Sequence, residues 1–135
     1  MIIDLPLGIK IGRKNYALNL NIYRNTHFLV LNRMKVEFSE SLKDKLSTLP
    51  SFTKIHLIYT LYPKTRRLCD VANICSIVDK FFCDALVRAN KIEDDNYTYI
   101  PTIEYKFGSI DKDNPRVTVE IKELDHADFI DPDRN

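Results

Sequence analysis

One stretch, "RRLCDVANICSIVDKFFCDALVRANKIEDDNYTYI" (residues 66–100), limits what this chain can fold into more than any other. Ile74, Ile77, Val78, Phe81, Phe82, Ala85, Leu86 and Ala89 recur at the i, i+3, i+4, i+7 spacing of one buried helix face. The spacing predicts a helix over 70–90, and a stripe of that length needs a second apolar layer to cover it. The flanking sequence offers one. "KIHLIYTLY" (Lys54–Tyr62) is β-branched and aromatic and reads as a strand, ended by Pro63. "YTYIPTIEYKFG" and "RVTVEIKEL" read as two more, and the turn chemistry of "DKDNP" between them predicts a β-hairpin. Nearer the start, a strand is expected over Ile9–Ala17. "LNLNIYRNTH" reads as a polar loop, and Thr26 as the N-cap of a helix over Phe28–Leu46. The order is β-α-β-α-β-β. The fold class is α+β, a single domain with a mixed sheet of about four strands carrying two helices.

The chain's 135 residues suit one domain, and 44% apolar with 29% charged residues is ordinary globular composition. Uncharged apolar runs are too short for a membrane span, and no signal-peptide pattern opens the chain. Cys69, Cys75 and Cys83 form no C-x-x-C pair and read as reduced thiols in a cytoplasmic protein. The total charge of +1 conceals an asymmetry. In residues 123–135, Glu123, Asp125, Asp128, Asp131 and Asp133 stand against Arg134 alone, giving −4, so the remainder must carry +5. A basic body over 1–122 with an acidic tail is compatible with nucleic-acid binding but does not demand it, and the simpler reading is a solvated tail that aids solubility.

On a helical wheel with Asp70 at zero, Asn73, Lys80 and Asp84 fall at roughly −60°, −80° and −40°, while the apolar stripe centres near +60°. These polar residues line one flank of a helix buried on the other. Asp70 near the helix start is open to two readings, an N-cap or a ligand. Asp94 and Asp95 just past the helix end are tolerated as exposed residues, or need a cation if held beside a third carboxylate. Mg²⁺ favours one or two carboxylates with substrate phosphates. Lys64, Arg66 and Arg67 closely precede Asp70, and a basic loop beside an acidic metal site is the layout a phosphodiester-cleaving site requires.

The same stretch resembles the central motif of the RusA family of Holliday-junction resolvases, common in bacteriophages and prophages. The family pattern is D-x-D-N at a helix start, then a Lys, then D-A-L, then D-D before a strand. Here "DVAN" supplies Asp70 and Asn73, "DK" supplies Lys80, "DAL" begins at Asp84, and "EDDN" supplies Asp94 and Asp95. "LNLNIYRNTHFLVLNRMK" resembles the family's Asn-rich segment before its first helix. The likeness covers roughly residues 5–122, and its specific part is 66–100. It implies a Mg²⁺-dependent homodimeric endonuclease (Mn²⁺ as a substitute) that nicks four-way or branched DNA symmetrically in recombination and repair. It also implies Asp70, Asp95 and Lys80 as catalytic residues and Asp70, Asp95 and Asp94 around the metal. Lys64, Arg66, Arg67, Asn73, Arg24 and Lys14 are the candidate DNA contacts. Two departures stand out: the second acid of the motif is Ala72, and Asn73 to Asp84 is about one helical turn longer than the family spacing. The alternative is therefore a junction-binding or protein-interaction relative with weakened or lost cleavage.

Geometry adds a constraint. A straight helix over 70–90 is about 30 Å long, and five further residues reach back at most about 17 Å. Asp95 is then expected to miss Asp70 of its own chain and to meet that of a two-fold partner with antiparallel helices, giving composite sites. Asp79 lies opposite Asp70 on the wheel and is not expected to share its site. Asp84 is expected to be structural or to pair with a lysine. Asn19, Asn21, Tyr23 and Arg24 read as loop polarity or DNA contacts, and Lys10, Arg13 and Lys14 as a solvated face or a phosphate track. His56 reads as a packed strand histidine, and no His pair has zinc spacing.

Overall fold

The computed structural model describes residues 1–124. Its spine is β4 (Ile55–Tyr62), where Ile55, Leu57, Tyr59 and Leu61 alternate toward one face and are fully buried. That period-2 stripe packs under α4 (Val71–Arg88), the amphipathic helix expected from the sequence. Along α4, Cys75, Ile77, Val78, Phe81, Phe82, Cys83, Ala85 and Leu86 are buried. The helix ends where Asn90 turns to φ 57°. Asn90 N–H then donates to the Val87 carbonyl and Lys91 N–H to that of Leu86, which closes the last turn and diverts the chain.

The remaining elements dress this pair. β1 (Ile2–Leu5) and β6 (Arg116–Glu123) are antiparallel, β6 is antiparallel to β4, and β5 (Thr102–Phe107) runs parallel to β4, in the order β1-β6-β4-β5. The sheet is mixed and four-stranded, as expected. β2 (Gly8–Ile11) and β3 (Lys14–Ala17) form a separate hairpin. α1 (Leu20–Asn25), α2 (Phe28–Ser41) and α3 (Lys43–Ser47) follow. Met34 and Phe38 of α2 complete the core, Phe38 meeting Phe81 edge-on at 5.7 Å. Both main helices cover one face of the sheet. The other carries polar side chains such as Thr60, Thr118 and Lys122.

Several expectations are corrected. β5 and β6 do not form a hairpin; residues 108–115 carry the chain past β4 to its other side. That connection is longer than the loops of about 2–5 residues that hairpins use, and it is pinned by Arg116 bonding Asp111 and the Asn114 carbonyl and by Asp111 N–H bonding Pro63 O. The strand over Ile9–Ala17 is two strands, because Gly12 at φ 61° turns the chain back. The loop at 18–27 contains α1, with Asn19 as its N-cap, and Thr26 ends that helix by donating to the Ile22 carbonyl rather than starting the next. The helix over Phe28–Leu46 breaks at Leu42 into α2 and α3. The strand in "YTYIPTIEYKFG" begins only at Thr102, after Pro101. The acidic tail lies outside the described residues from 125 onward; Glu123 is the last residue of β6. Among the described residues no helix is long and apolar enough to cross a membrane.

Gly108 tests this packing. A Cβ there would sit 2.6 Å from Tyr62 Cε1 and 2.9 Å from Thr60 Cγ2, and the Tyr62 ring is itself held by Arg116 at 4.2 Å. Gly108→Ala is expected to cost about 1–3 kcal/mol, read as a lower urea midpoint at unchanged m-value. An unchanged midpoint contradicts the packing.

Candidate functional site

The loop from Pro63 to Asp70 leaves the carboxyl end of β4 and enters α4. It borders a cleft of about 820 Å³ lined by Asn19, Thr65, Arg67, Asp70, Asn73 and neighbouring residues. Two asparagines build the cleft floor. Asn19 Oδ1 accepts from Ile22 N–H at 2.8 Å, capping α1. Asn73 Oδ1 accepts from Leu20 N–H at 3.0 Å, so the first turn of α4 caps the first turn of α1. Asn73 is thus a structural tie as well as a cleft residue.

Asp70 is the N-cap residue of α4 by position, yet its side chain makes no capping bond. Its exposed carboxylate faces the cleft at the positive end of the helix, and among the described residues it has no hydrogen-bond or ion-pair partner. Lys64, Arg66 and Arg67 are likewise exposed, with no side-chain bond or ion pair among the described residues. The loop therefore presents three cations and one anion with their polar groups uncommitted.

The other candidates lie elsewhere. Lys80 is exposed on α4 with Nζ 5.9 Å from the centre of the Tyr23 ring. It is about 15 Å from Asp70 along the helix axis at 1.5 Å per residue. Arg24 is exposed on α1, and Lys14 on β3 rests over the Tyr16 ring at 4.9 Å. Asp84 pairs with Arg88 at 2.7 Å and not with a lysine. His56 packs in β4 with Nε2 2.9 Å from Glu104 Oε2, off the N–H direction that a hydrogen bond needs. Asp94 organises its own loop, its carboxylate accepting from Asp95 N–H and Asn96 Nδ2.

Asp95 belongs to a different neighbourhood from Asp70. Its pKa is raised above the ordinary 3.8, first by partial desolvation and then by its bond with Asp94, with the charges of Asp94 and Asp79 adding. Asp79 is the residue that the sequence undervalued. It points into the sheet, where Oδ1 accepts from Tyr59 OH at 2.7 Å and from Cys83 Sγ at 3.2 Å, and Oδ2 from Tyr105 OH at 2.9 Å. Burial pushes Tyr59 and Cys83 up, Asp79 adding. Burial likewise holds the Cys75 thiol at about 12. Neither buried thiol is a nucleophile near neutral pH. The signal for this network was a lone aspartate at the edge of an apolar helix face, a half-buried position where a carboxylate needs donors.

Among the described residues no three His, Cys, Asp or Glu side chains are grouped to hold a metal ion. Among the described residues Asp70 is the one carboxylate that lines the cleft, and Ala72, at the place of the motif's second acid, is exposed in the first turn of α4. An ion there would take Asp70 together with phosphate oxygens or a carboxylate from another chain, a ligand set that Mg²⁺ accepts. No protein-family model matches the sequence, and no curated protein matches it.

Two outcomes follow. Tyr59→Phe removes one donor from Asp79 and is expected to cost about 1.5–3 kcal/mol in urea unfolding; a neutral substitution contradicts the network. For Asp95, folding raises the pKa, so the native state holds its proton to higher pH than the unfolded chain. Ionisation then opposes folding, with no penalty below 3.8 and the full penalty above the raised value. Asp95→Asn is therefore expected to raise the urea midpoint at neutral pH, the gain vanishing below pH 3.8. A loss of stability at neutral pH contradicts this placement.

Proposed function

We propose that the chain is a RusA-like, structure-selective DNA endonuclease that acts as a cytoplasmic homodimer on four-way or branched DNA with Mg²⁺, or Mn²⁺ in its place. The observation that carries this reading is the uncommitted Asp70 carboxylate in a cleft that Arg67 also lines, on a loop that exposes Lys64 and Arg66 beside it. Cations on an exposed loop hold phosphates without reading sequence, which suits recognition of a branch by shape. Asp70 and the partner subunit's Asp95 would hold the metal. When bound, the metal supplies an activated water and neutralises charge on the phosphoryl group. Arg67 and the Asn19 and Asn73 amides fix the strand in the cleft. Lys80, a helix flank away, engages backbone phosphate beyond the cleaved bond. Asp94 shapes the loop that presents Asp95.

Ala72 favours a second reading, a junction-binding protein whose cleavage is weak or lost, because one carboxylate of the motif is missing.

The test is cleavage of a labelled immobile four-way junction in Mg²⁺ and in Mn²⁺, beside gel-shift binding in EDTA. Symmetric nicks are expected, reduced at least about 100-fold in Asp70→Asn while binding in EDTA is kept. Arg66→Ala and Arg67→Ala are each expected to weaken binding to all sequences alike and to lower the salt slope by about one. Tight binding without nicks in either metal replaces the endonuclease with the second reading. Absence of both binding and nicks removes both.

A further inference from the structure

β5 forms one edge of the sheet, paired only with β4 among the described residues, and all six of its residues are exposed. Gly108 N–H donates to Leu61 O on β4. By strand alternation, Thr102, Glu104 and Lys106 turn their backbone groups toward β4, and Ile103, Tyr105 and Phe107 turn theirs to the open edge. The side chains of this second set lie on the helix-covered face, since Tyr105 reaches Asp79 of α4. They remain 42%, 37% and 56% exposed. An edge of this length without proline, glycine or bulge is a template for another strand.

We infer that a second copy of the chain docks on this edge, β5 pairing antiparallel with its counterpart about a two-fold axis through Tyr105. The self-complementarity of "TIEYKF" carries the inference. With Tyr105 opposite Tyr105, each Glu104 stands opposite the other copy's Lys106, and each Ile103 opposite the other copy's Phe107. The outward-facing residues then face one another as hydrogen-bonded pairs, contributing about six backbone bonds. The neighbouring registers that keep this bonding place Glu104 opposite Glu104 or Lys106 opposite Lys106, and like charges directly opposite are unfavourable. Charge and backbone direction thus select one register. The two sheets become one of eight strands, with the apolar side chains of both β5 strands buried between the α4 helices.

α4 packs on both β4 and β5, so its axis runs over the gap between them. With strands about 4.8 Å apart, the two α4 helices lie antiparallel at about 10 Å, an ordinary packing distance. Asp70 of one copy then faces the end of α4 from which the other presents its 94–95 loop. This last consequence rests on the proposed nuclease; the interface does not.

The test is sedimentation equilibrium of the full chain and three charge variants. The wild type is expected to dimerise. Glu104→Lys and Lys106→Glu are each expected to weaken the dimer about ten-fold, since each swap turns two facing pairs from attraction to repulsion. The double variant Glu104→Lys/Lys106→Glu is expected to restore it. Amide exchange of the wild type gives a readout without substitution: the Ile103, Tyr105 and Phe107 amides should slow as protein concentration rises, while those of Glu104 and Lys106 stay slow throughout. A monomer at every concentration, a dimer indifferent to the single swaps, or a double variant no better than the singles overturns the interface. A dimer of this kind that cuts no junction keeps the interface and removes the nuclease; a junction-cutting dimer indifferent to the charge swaps does the reverse.

Discussion

The packing of α4 on the buried face of β4 is the contact on which the rest of this molecule depends. β4 and β5 are parallel neighbours, so the chain must cross from the end of one to the start of the other, and α4 is that crossing. Its apolar stripe secures it to Leu57, Tyr59 and Leu61, with Tyr59 meeting Phe82 edge-on at 6.3 Å. The crossing sets the positions of the chemistry at both ends. Asp70 is delivered where β4 finishes, beside the basic loop. The 94–95 loop is delivered at the opposite end, where β5 begins. α4 itself is 18 residues, about 27 Å, long, and Asp95 lies within charge reach of Asp79 near its middle.

α4, β4, the main helix of the N-terminal half and the α+β class were legible in the sequence, since each rests on a long stretch of one period. The failures share a different origin. Whether β5 and β6 pair with each other or flank β4 depends on long-range competition for a central strand, which local turn chemistry does not report. β6, with Val117, Val119 and Ile121 facing inward, gains more beside β4 than beside an exposed β5. α1 was hidden because its six residues bury none fully and its cap is shared with Asn73, fifty-three positions away.

The site was legible in part. Arg67, Asp70 and Asn73 do meet in one cleft, because sequence neighbours around a helix start stay neighbours in space. Asp79 was read correctly as facing away from Asp70, but its role as acceptor for Tyr59, Cys83 and Tyr105 required knowing which strands lie beneath it. Asp84 found Arg88 one turn on, a pairing that i,i+4 spacing makes available without any tertiary contact. The acids thus sort into one uncommitted at the cleft, one bonded to tyrosines of the sheet, one paired on the surface, and two in the loop between α4 and β5.

The central claim is that one chain holds half of a catalytic site and a second chain supplies the other half. Subunit mixing tests it most directly. Asp70→Asn and Asp95→Asn chains, each inactive alone, are mixed, allowed to exchange, and assayed on a labelled four-way junction with Mg²⁺. In a composite arrangement the mixed dimer has one site with both acids lost and one with both intact, so the account predicts that single-strand nicking returns. If each chain carries its own complete site, every site in the mixture lacks an acid, and a mixture as inactive as its components contradicts the account.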